Sequence, residues 1–287
     1  MAMGLKGRVE TAVRLATPTA AVPALVRRRT AKALASPAAM ADARRQMEFL
    51  VGVQAPDSDL DAIAERYVRL MKWRGEARWH AELLMNQQVD GVEHFHQARG
   101  DGRGVLVSFS HHGFYDGVFG SLYRHGIPCQ AVVTPTMFDG TAPAWMAQQY
   151  RLGMQTGAGM INADLGVRGF VRMLGEGAVL GLATDVPENT KMSFLGREVR
   201  GAFGIAYIAH KFGYPVVQVS AHPVPDDGPH PTQRLSISPV MDPADYDGPR
   251  AMLDEIVGRL ETAAAAWPEG YDQPLKRWTW EPAPVDA

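Results

Sequence analysis

The chain has 287 residues, of which 46% are hydrophobic and 21% are charged. This composition is typical of a folded globular protein and excludes wholesale disorder, and the net charge of −2 argues against a dedicated nucleic-acid binder. One cysteine, Cys129, cannot form an internal disulfide, which fits a reducing cytoplasm. Cys129 begins an apolar run, so we expect a buried strand residue and not a catalytic thiol.

The N-terminal part of the chain is basic and proline-interrupted. Residues 1–50 hold nine Lys or Arg against three acids, and prolines at positions 18, 23, 37 and 56 divide a helical pattern. We therefore predict a helical N-terminal arm over residues 1–57. The cluster Arg27–Arg29 lies among apolar residues and fits either an anionic membrane surface or a solvated basic face. The apolar runs are too short for a membrane span, and no cleavable leader is predicted.

The pattern beyond residue 57 predicts a single α/β domain over residues 58–287. A helix is predicted from Ser58 to about Leu84, because apolar residues recur there at helical spacing. Strands then alternate with helices of about ten residues, which is typical of a largely parallel, mixed sheet flanked by helices. The predicted strands are 105–109, 130–134, 159–162, 179–183, 215–220 and 234–238, the last two as an antiparallel edge. The predicted helices are 114–123, 142–151, 165–174 and 203–211, with a final helix ending near Trp267.

The strongest chemical candidate is the pair His111 and Asp116, which follows the first of these strands. His111 would lie at a strand-to-helix turn with Asp116 in the first helical turn, and open α/β sheets bind ligands at the ends of their strands. A carboxylate on one imidazole nitrogen fixes the tautomer and makes the other nitrogen a general base. The alternative is a structural histidine, with Asp116 as a helix N-terminal charge. The spacing leaves open whether His111 or His112 points into the site.

Two further groups of polar residues are weaker candidates. Asp185 also follows a predicted strand, where it would either position a substrate or structure the loop. Arg151 and Arg168 fit an oxyanion or substrate-binding role as well as they fit exposed helix faces. His94 and His96 have no cysteine partner and no ligand geometry, so no metal is predicted. Nucleophile-elbow, P-loop and dinucleotide-binding motifs do not occur.

Several motifs together resemble one protein family in the same order along residues 60–280. The segment His111–Asp116 resembles the H-x-G-N-W-E/D signature of bacterial late lipid A acyltransferases and phosphatidylinositol mannoside acyltransferases, members of the H-x4-D/E acyltransferase superfamily. Phe114 and Tyr115 stand where Asn and Trp are usual. The other matching segments are 102–107, 151–153, 176–185, 194–217 and 267–280.

The resemblance implies a glycerolipid-acyltransferase-like fold and acyl transfer from acyl-CoA or acyl-carrier protein, with no further cofactor. His111 would be the general base and Asp116 its partner, while Arg151 or backbone N–H groups near Gly113 would hold the oxyanion. The acceptor would be a hydroxyl or amine of a glycolipid or of a specialised metabolite. A cytoplasmic protein is expected, with peripheral contact at the cytoplasmic face of a membrane as an open alternative. An acyl thioesterase and a non-catalytic acyl-lipid-binding protein are the competing functions.

Overall fold

The computed structural model describes residues 5–138, 140–155, 159–225 and 231–279. Residues 5–51 form three α-helices. The third of these helices, and the fourth helix that follows residue 57, each begin at a residue whose side chain caps the helix N-terminus. Ser36 caps the third helix by accepting from Ala39 N, and Asp59 caps the fourth by accepting from Ala62 N at 3.0 Å. The N-terminal helices are α1 (Leu5–Ala16), α2 (Val22–Leu34), α3 (Pro37–Val51), α4 (Leu60–Ala77) and α5 (Ala81–Leu84).

The remaining helices alternate with strands, as the sequence predicts. The helices are α6 (Val92–Arg99), α7 (Val118–Arg124), α8 (Ala144–Gln155), α9 (Gly166–Gly175), α10 (Gly204–Phe212), α11 (Pro249–Ala266) and α12 (Pro274–Trp278). The strands are β1 (Gln88–Asp90), β2 (Val105–Phe109), β3 (Cys129–Val133), β4 (Met160–Asn162), β5 (Val179–Ala183), β6 (Thr190–Phe194), β7 (Arg197–Gly201), β8 (Val216–Pro223) and β9 (Gln233–Ile237).

Seven strands form one mixed sheet in the order β1-β9-β8-β2-β5-β3-β4. Every pair is parallel except β8 with β9, which is antiparallel. The predicted class, a largely parallel sheet flanked by helices, is therefore confirmed. The strands β6 and β7 form a separate antiparallel hairpin. The sequence pattern does not predict it, because each strand has only two buried residues and therefore a very short apolar pattern.

The core has two halves, one on each face of the sheet. Alternate residues of β2 point to opposite faces, so Leu106 joins the half with α10 and α11, while Val105 and Val107 join the half with α7. Cys129 is fully buried in the second half, as expected. Because all five residues of β2 are buried, the strand is fixed at the centre of the sheet and so is the loop that follows it.

The predicted N-terminal arm is mainly helical in its described part and packs on the rest of the chain. Ala43, Met47 and Leu50 of α3 lie in the same core half as Ile63 of α4. The division at residue 57 remains a prediction. In the described part of the chain, we find no helix that is both long and apolar enough to cross a membrane.

Candidate active site

The centre of the sheet brings two candidate residues together that are 74 positions apart. Strands β2 and β5 are parallel neighbours, with Phe109 opposite Ala183 in register. His111 and Asp185 each lie two residues beyond those matched positions, so both side chains emerge at the same edge of the sheet. This is the edge at which α/β proteins place their ligands.

Asp185 holds His111 through both of its carboxylate oxygens. The Oδ1 atom lies 3.0 Å from His111 Nδ1, and Oδ2 accepts from the His111 backbone N–H at 2.8 Å. The Tyr271 hydroxyl donates to the same Oδ2 at 2.9 Å. Asp185 and Tyr271 are completely or almost completely buried. Three donors therefore fix one carboxylate, and that carboxylate fixes the orientation of the imidazole ring.

The charges of this site favour a neutral histidine beside an ionised aspartate. Burial lowers the pKa of His111, and the Arg277 charge lowers it further, against the opposing effect of Asp185. Burial by itself would raise the pKa of Asp185, but the hydrogen bonds from His111 and the charge of Arg277 lower it overall. An ionised Asp185 can only accept, so Nδ1 carries the proton and Nε2 has the lone pair of a base.

Asp116 has a different partner from the one predicted. Its carboxylate lies 3.2 Å from Arg78 Nη2, and both side chains are buried. Within the described residues, no hydrogen bond or ion pair joins Asp116 to His111, whose carboxylate partner is Asp185. The physical reason is the turn itself: a 3₁₀ turn at Tyr115–Gly117 precedes α7 and directs Asp116 toward α4. Asp116 and His111 nevertheless both line a cavity at this edge of the sheet.

His111, and not His112, faces that cavity. His112 is only 3% exposed, and its Nε2 lies 2.8 Å from the Trp267 carbonyl oxygen. Burial lowers the pKa of His112 to about 4, so the ring is neutral and donates this hydrogen bond from Nε2. His112 therefore joins the loop to the C-terminal segment.

The cavity beside His111 has a volume of about 470 Å³ and a mainly apolar wall. The ring of Phe109 lies edge-on to that of Phe119, with 4.9 Å between the ring centroids. Both rings line the cavity, with aliphatic and thioether side chains. They include Ala131, Val132, Val133, Met137, Met146 and Met160. A wall of this kind suits a flexible hydrocarbon chain.

The family model of the bacterial lipid A biosynthesis acyltransferases matches residues 15–279. The chain belongs to this family. No curated protein sequence matches it significantly. Among solved structures, it is similar to the 1-acyl-sn-glycerophosphate acyltransferase PlsC from Thermotoga maritima, with 18% identity, a TM-score of 0.41, and coverage of 70% of this chain and 82% of that one.

The other residues predicted for this acyltransferase do not all reach the cavity. Arg151 and Arg168 are exposed on α8 and α9, and neither lines the cavity of His111. Gly113 adopts a positive φ of 62°, and its N–H donates to the Gly270 carbonyl oxygen at 2.8 Å. That N–H therefore holds the turn and is not directed at a substrate.

A buried ionic network of the acyltransferase was missed by the sequence analysis. Asp272 accepts from Arg74, from Arg277 at 2.6 Å and from the Tyr115 hydroxyl at 3.0 Å. The two guanidinium charges lower the pKa of Asp272, although burial opposes them. The ring centroid of Tyr115 lies 4.8 Å from that of His111, so this network borders the site. The matching C-terminal segment 267–280 was the available signal, but it did not indicate which of its residues turn inward.

Proposed function

We propose that this acyltransferase moves a fatty acyl group from acyl-CoA or acyl-carrier protein to a hydroxyl or amine of a lipid, with His111 as general base. The glycolipid or specialised metabolite expected from the sequence is the proposed acceptor. The observation that carries the proposal is the hydrogen bond of His111 Nδ1 to the buried Asp185, with His111 itself in the wall of a mainly apolar cavity. Membership of the lipid A biosynthesis acyltransferase family supports acyl transfer to a lipid.

In the proposed reaction, Nε2 of His111 removes the acceptor proton as the acceptor oxygen or nitrogen attacks the thioester carbonyl carbon. A new bond to carbon forms, and the carbonyl oxygen becomes an oxyanion. The oxyanion then collapses, the carbon–sulfur bond breaks, and His111 returns its proton to the leaving thiolate. Asp185 stabilises the imidazolium that exists between these steps.

The oxyanion requires a donor, and we assign that role to Arg277 in place of Arg151. Arg277 lines the cavity of His111, while Arg151 is exposed outside it. The positive charge of Arg277 also acts on His111, because it lowers the pKa of the imidazole ring. A guanidinium close to the reacting carbon would stabilise negative charge that develops only in the transition state.

Asp116 has a supporting role in this proposal. Its carboxylate pairs with Arg78, whose guanidinium lies 5.3 Å from the ring centroid of Trp145. Because Asp116 and Trp145 both line the cavity, the pair would shape the cavity wall without touching the base.

Mass spectrometry tests the proposed reaction. The protein is incubated with a panel of acyl-CoAs and acyl-carrier proteins and with a lipid and metabolite extract. The His111→Ala variant should lose at least about 100-fold of the turnover, whereas a control His96→Ala on an exposed helix face should retain it. Free fatty acid as the sole product would indicate a thioesterase. Unchanged turnover in folded His111→Ala, or binding without turnover in the wild type, would contradict the proposal.

We also propose peripheral contact with an anionic membrane at the cytoplasmic face through the basic N-terminal helices. Arg27 and Arg28 are exposed, whereas the neighbouring Val22 and Val26 are buried in the protein. The contact would therefore depend on charge and not on apolar insertion. Co-sedimentation with anionic vesicles should be reduced in Arg27→Gln/Arg28→Gln and absent with neutral vesicles. Equal binding to both kinds of vesicle would contradict it.

A further inference from the structure

A second cleft adjoins the cavity of His111. It has a volume of about 700 Å³ and lies among α3, α4 and the segment that carries Asp272 and Lys276. Tyr115, Trp145, Asp272 and Lys276 line both spaces. The Tyr115 ring, which is 4.8 Å from the His111 ring between centroids, is thus a shared wall. A ligand bound in this cleft would lie next to the reacting groups.

The cleft is lined by more cations than anions. Lys72, Arg74, Arg78 and Lys276 line it, together with the two carboxylates Asp42 and Asp272. Asp42 pairs with Arg45 outside the cleft, and Asp272 is shared between Arg74 and Arg277. In the part of the chain that the structure describes, neither lysine forms an ion pair. The two lysines therefore give the cleft positive charge that no described carboxylate neutralises through an ion pair.

The two arginines also have hydrogen-bonding capacity that the protein does not use. Arg74 and Arg78 are 5% and 7% exposed. Among the described residues, Arg74 Nε and Nη1 and Arg78 Nε have no hydrogen-bond partner. A buried donor without a partner costs free energy, and guanidinium groups match the oxygens of phosphate especially well. Arg78 further connects the two spaces, since Asp116, its partner, lines the cavity of His111.

We propose that this cleft binds a phosphate group of a substrate during acyl transfer. The inference rests on the proposed function, because it takes the adjoining cavity as the place of reaction. The close contact of the two spaces favours a phosphate on the acceptor, near the attacking hydroxyl. The phosphates of coenzyme A are separated from the thioester by the whole pantetheine arm and would reach the cleft only if that arm were folded back.

Binding measurements on the turnover-deficient His111→Ala protein test the inference. The probes are dihexanoyl phosphatidic acid, dihexanoylglycerol as the matched lipid without phosphate, and coenzyme A. The charge-neutral variant Lys72→Gln/Lys276→Gln should bind the phosphatidic acid about tenfold more weakly, with little change for the diacylglycerol. Lys191→Gln/Lys211→Gln, which removes two lysines outside the cleft, is the matched control and should bind as the parent does.

Each outcome has a definite meaning. Weaker binding of the phosphatidic acid alone supports an acceptor phosphate, and weaker binding of coenzyme A alone supports the site with the donor as its source. Equal affinity of the parent and the Lys72→Gln/Lys276→Gln variant for both phosphate probes would overturn the inference, as would a failure of both to bind. If the probes bind as expected but the wild type transfers no acyl group, the proposed function fails and the phosphate site does not.

Discussion

Replacing Asp185 with asparagine should inactivate the base by changing the tautomer of His111. Oδ2 accepts from two donors, the His111 backbone N–H at 2.8 Å and the Tyr271 hydroxyl at 2.9 Å, whereas Oδ1 faces Nδ1 of the ring. In Asp185→Asn, the amide oxygen should take the Oδ2 position. The opposite orientation would leave two donors without an acceptor, at about 1–3 kcal/mol each.

The amide nitrogen of the variant would then face Nδ1 and donate to it. Nδ1 must become an acceptor, so the ring proton moves to Nε2, the nitrogen that should receive the proton of the acceptor substrate. We expect kcat to fall by about 10²–10⁴-fold, the usual contribution of a general base.

Two assays check this prediction. Thioester consumption measures the loss of activity, and ¹⁵N NMR of the His111 ring, assigned by comparison with His111→Ala, shows which nitrogen is protonated. Asp57→Asn, at an exposed position, is the control, and the melting temperature shows that each variant is folded. Activity within a few-fold of wild type, or a ring that keeps its proton on Nδ1, would refute the reasoning. If Asp116→Asn changed the tautomer instead, the pair expected from the sequence would be the correct one.

Three other predictions concern ionisation and folding. The base must be neutral and the pKa of His111 is lowered, so kcat/KM should fall on acidification with a midpoint below about 6.5. A midpoint above that value would contradict it. Asp272→Asn should destabilise the fold by about 3–5 kcal/mol in urea unfolding at pH 7, because Arg74 would remain buried without its carboxylate. The pKa of Asp272 is lowered in the fold, so its contribution is present above the unfolded value near 3.9 and is lost at lower pH, where the difference between the proteins should shrink. Gly113→Ala should cost at least about 1 kcal/mol, since φ is 62° and a Cβ would overlap Gln233 Oε1; an unchanged melting temperature would show that the turn adapts.

The sequence predicts both strands that form the site. Both Val105–Phe109 and Val179–Ala183 are short, mainly apolar runs with the observed bounds, because a parallel strand that is covered on both faces consists mostly of apolar residues. It also placed His111 and Asp185 just after those runs. The apolar runs and the polar residues that follow them are local properties, so the pattern of residues along the chain is enough to predict them.

The identity of the carboxylate that binds His111 depends on the fold of the whole chain. The residues of a single strand do not specify which strands lie beside it. The strand β2 lies between β8 and β5, and Asp185 follows β5, which is far from β2 along the chain. Asp116 is near His111 in sequence, but it lies in a 3₁₀ turn and its carboxylate forms an ion pair with the Arg78 guanidinium. The hydroxyl of Tyr271 and the guanidinium of Arg277 come from the C-terminal segment, which packs over the same edge. Contacts across such distances depend on how the whole core packs, so local patterns cannot predict them.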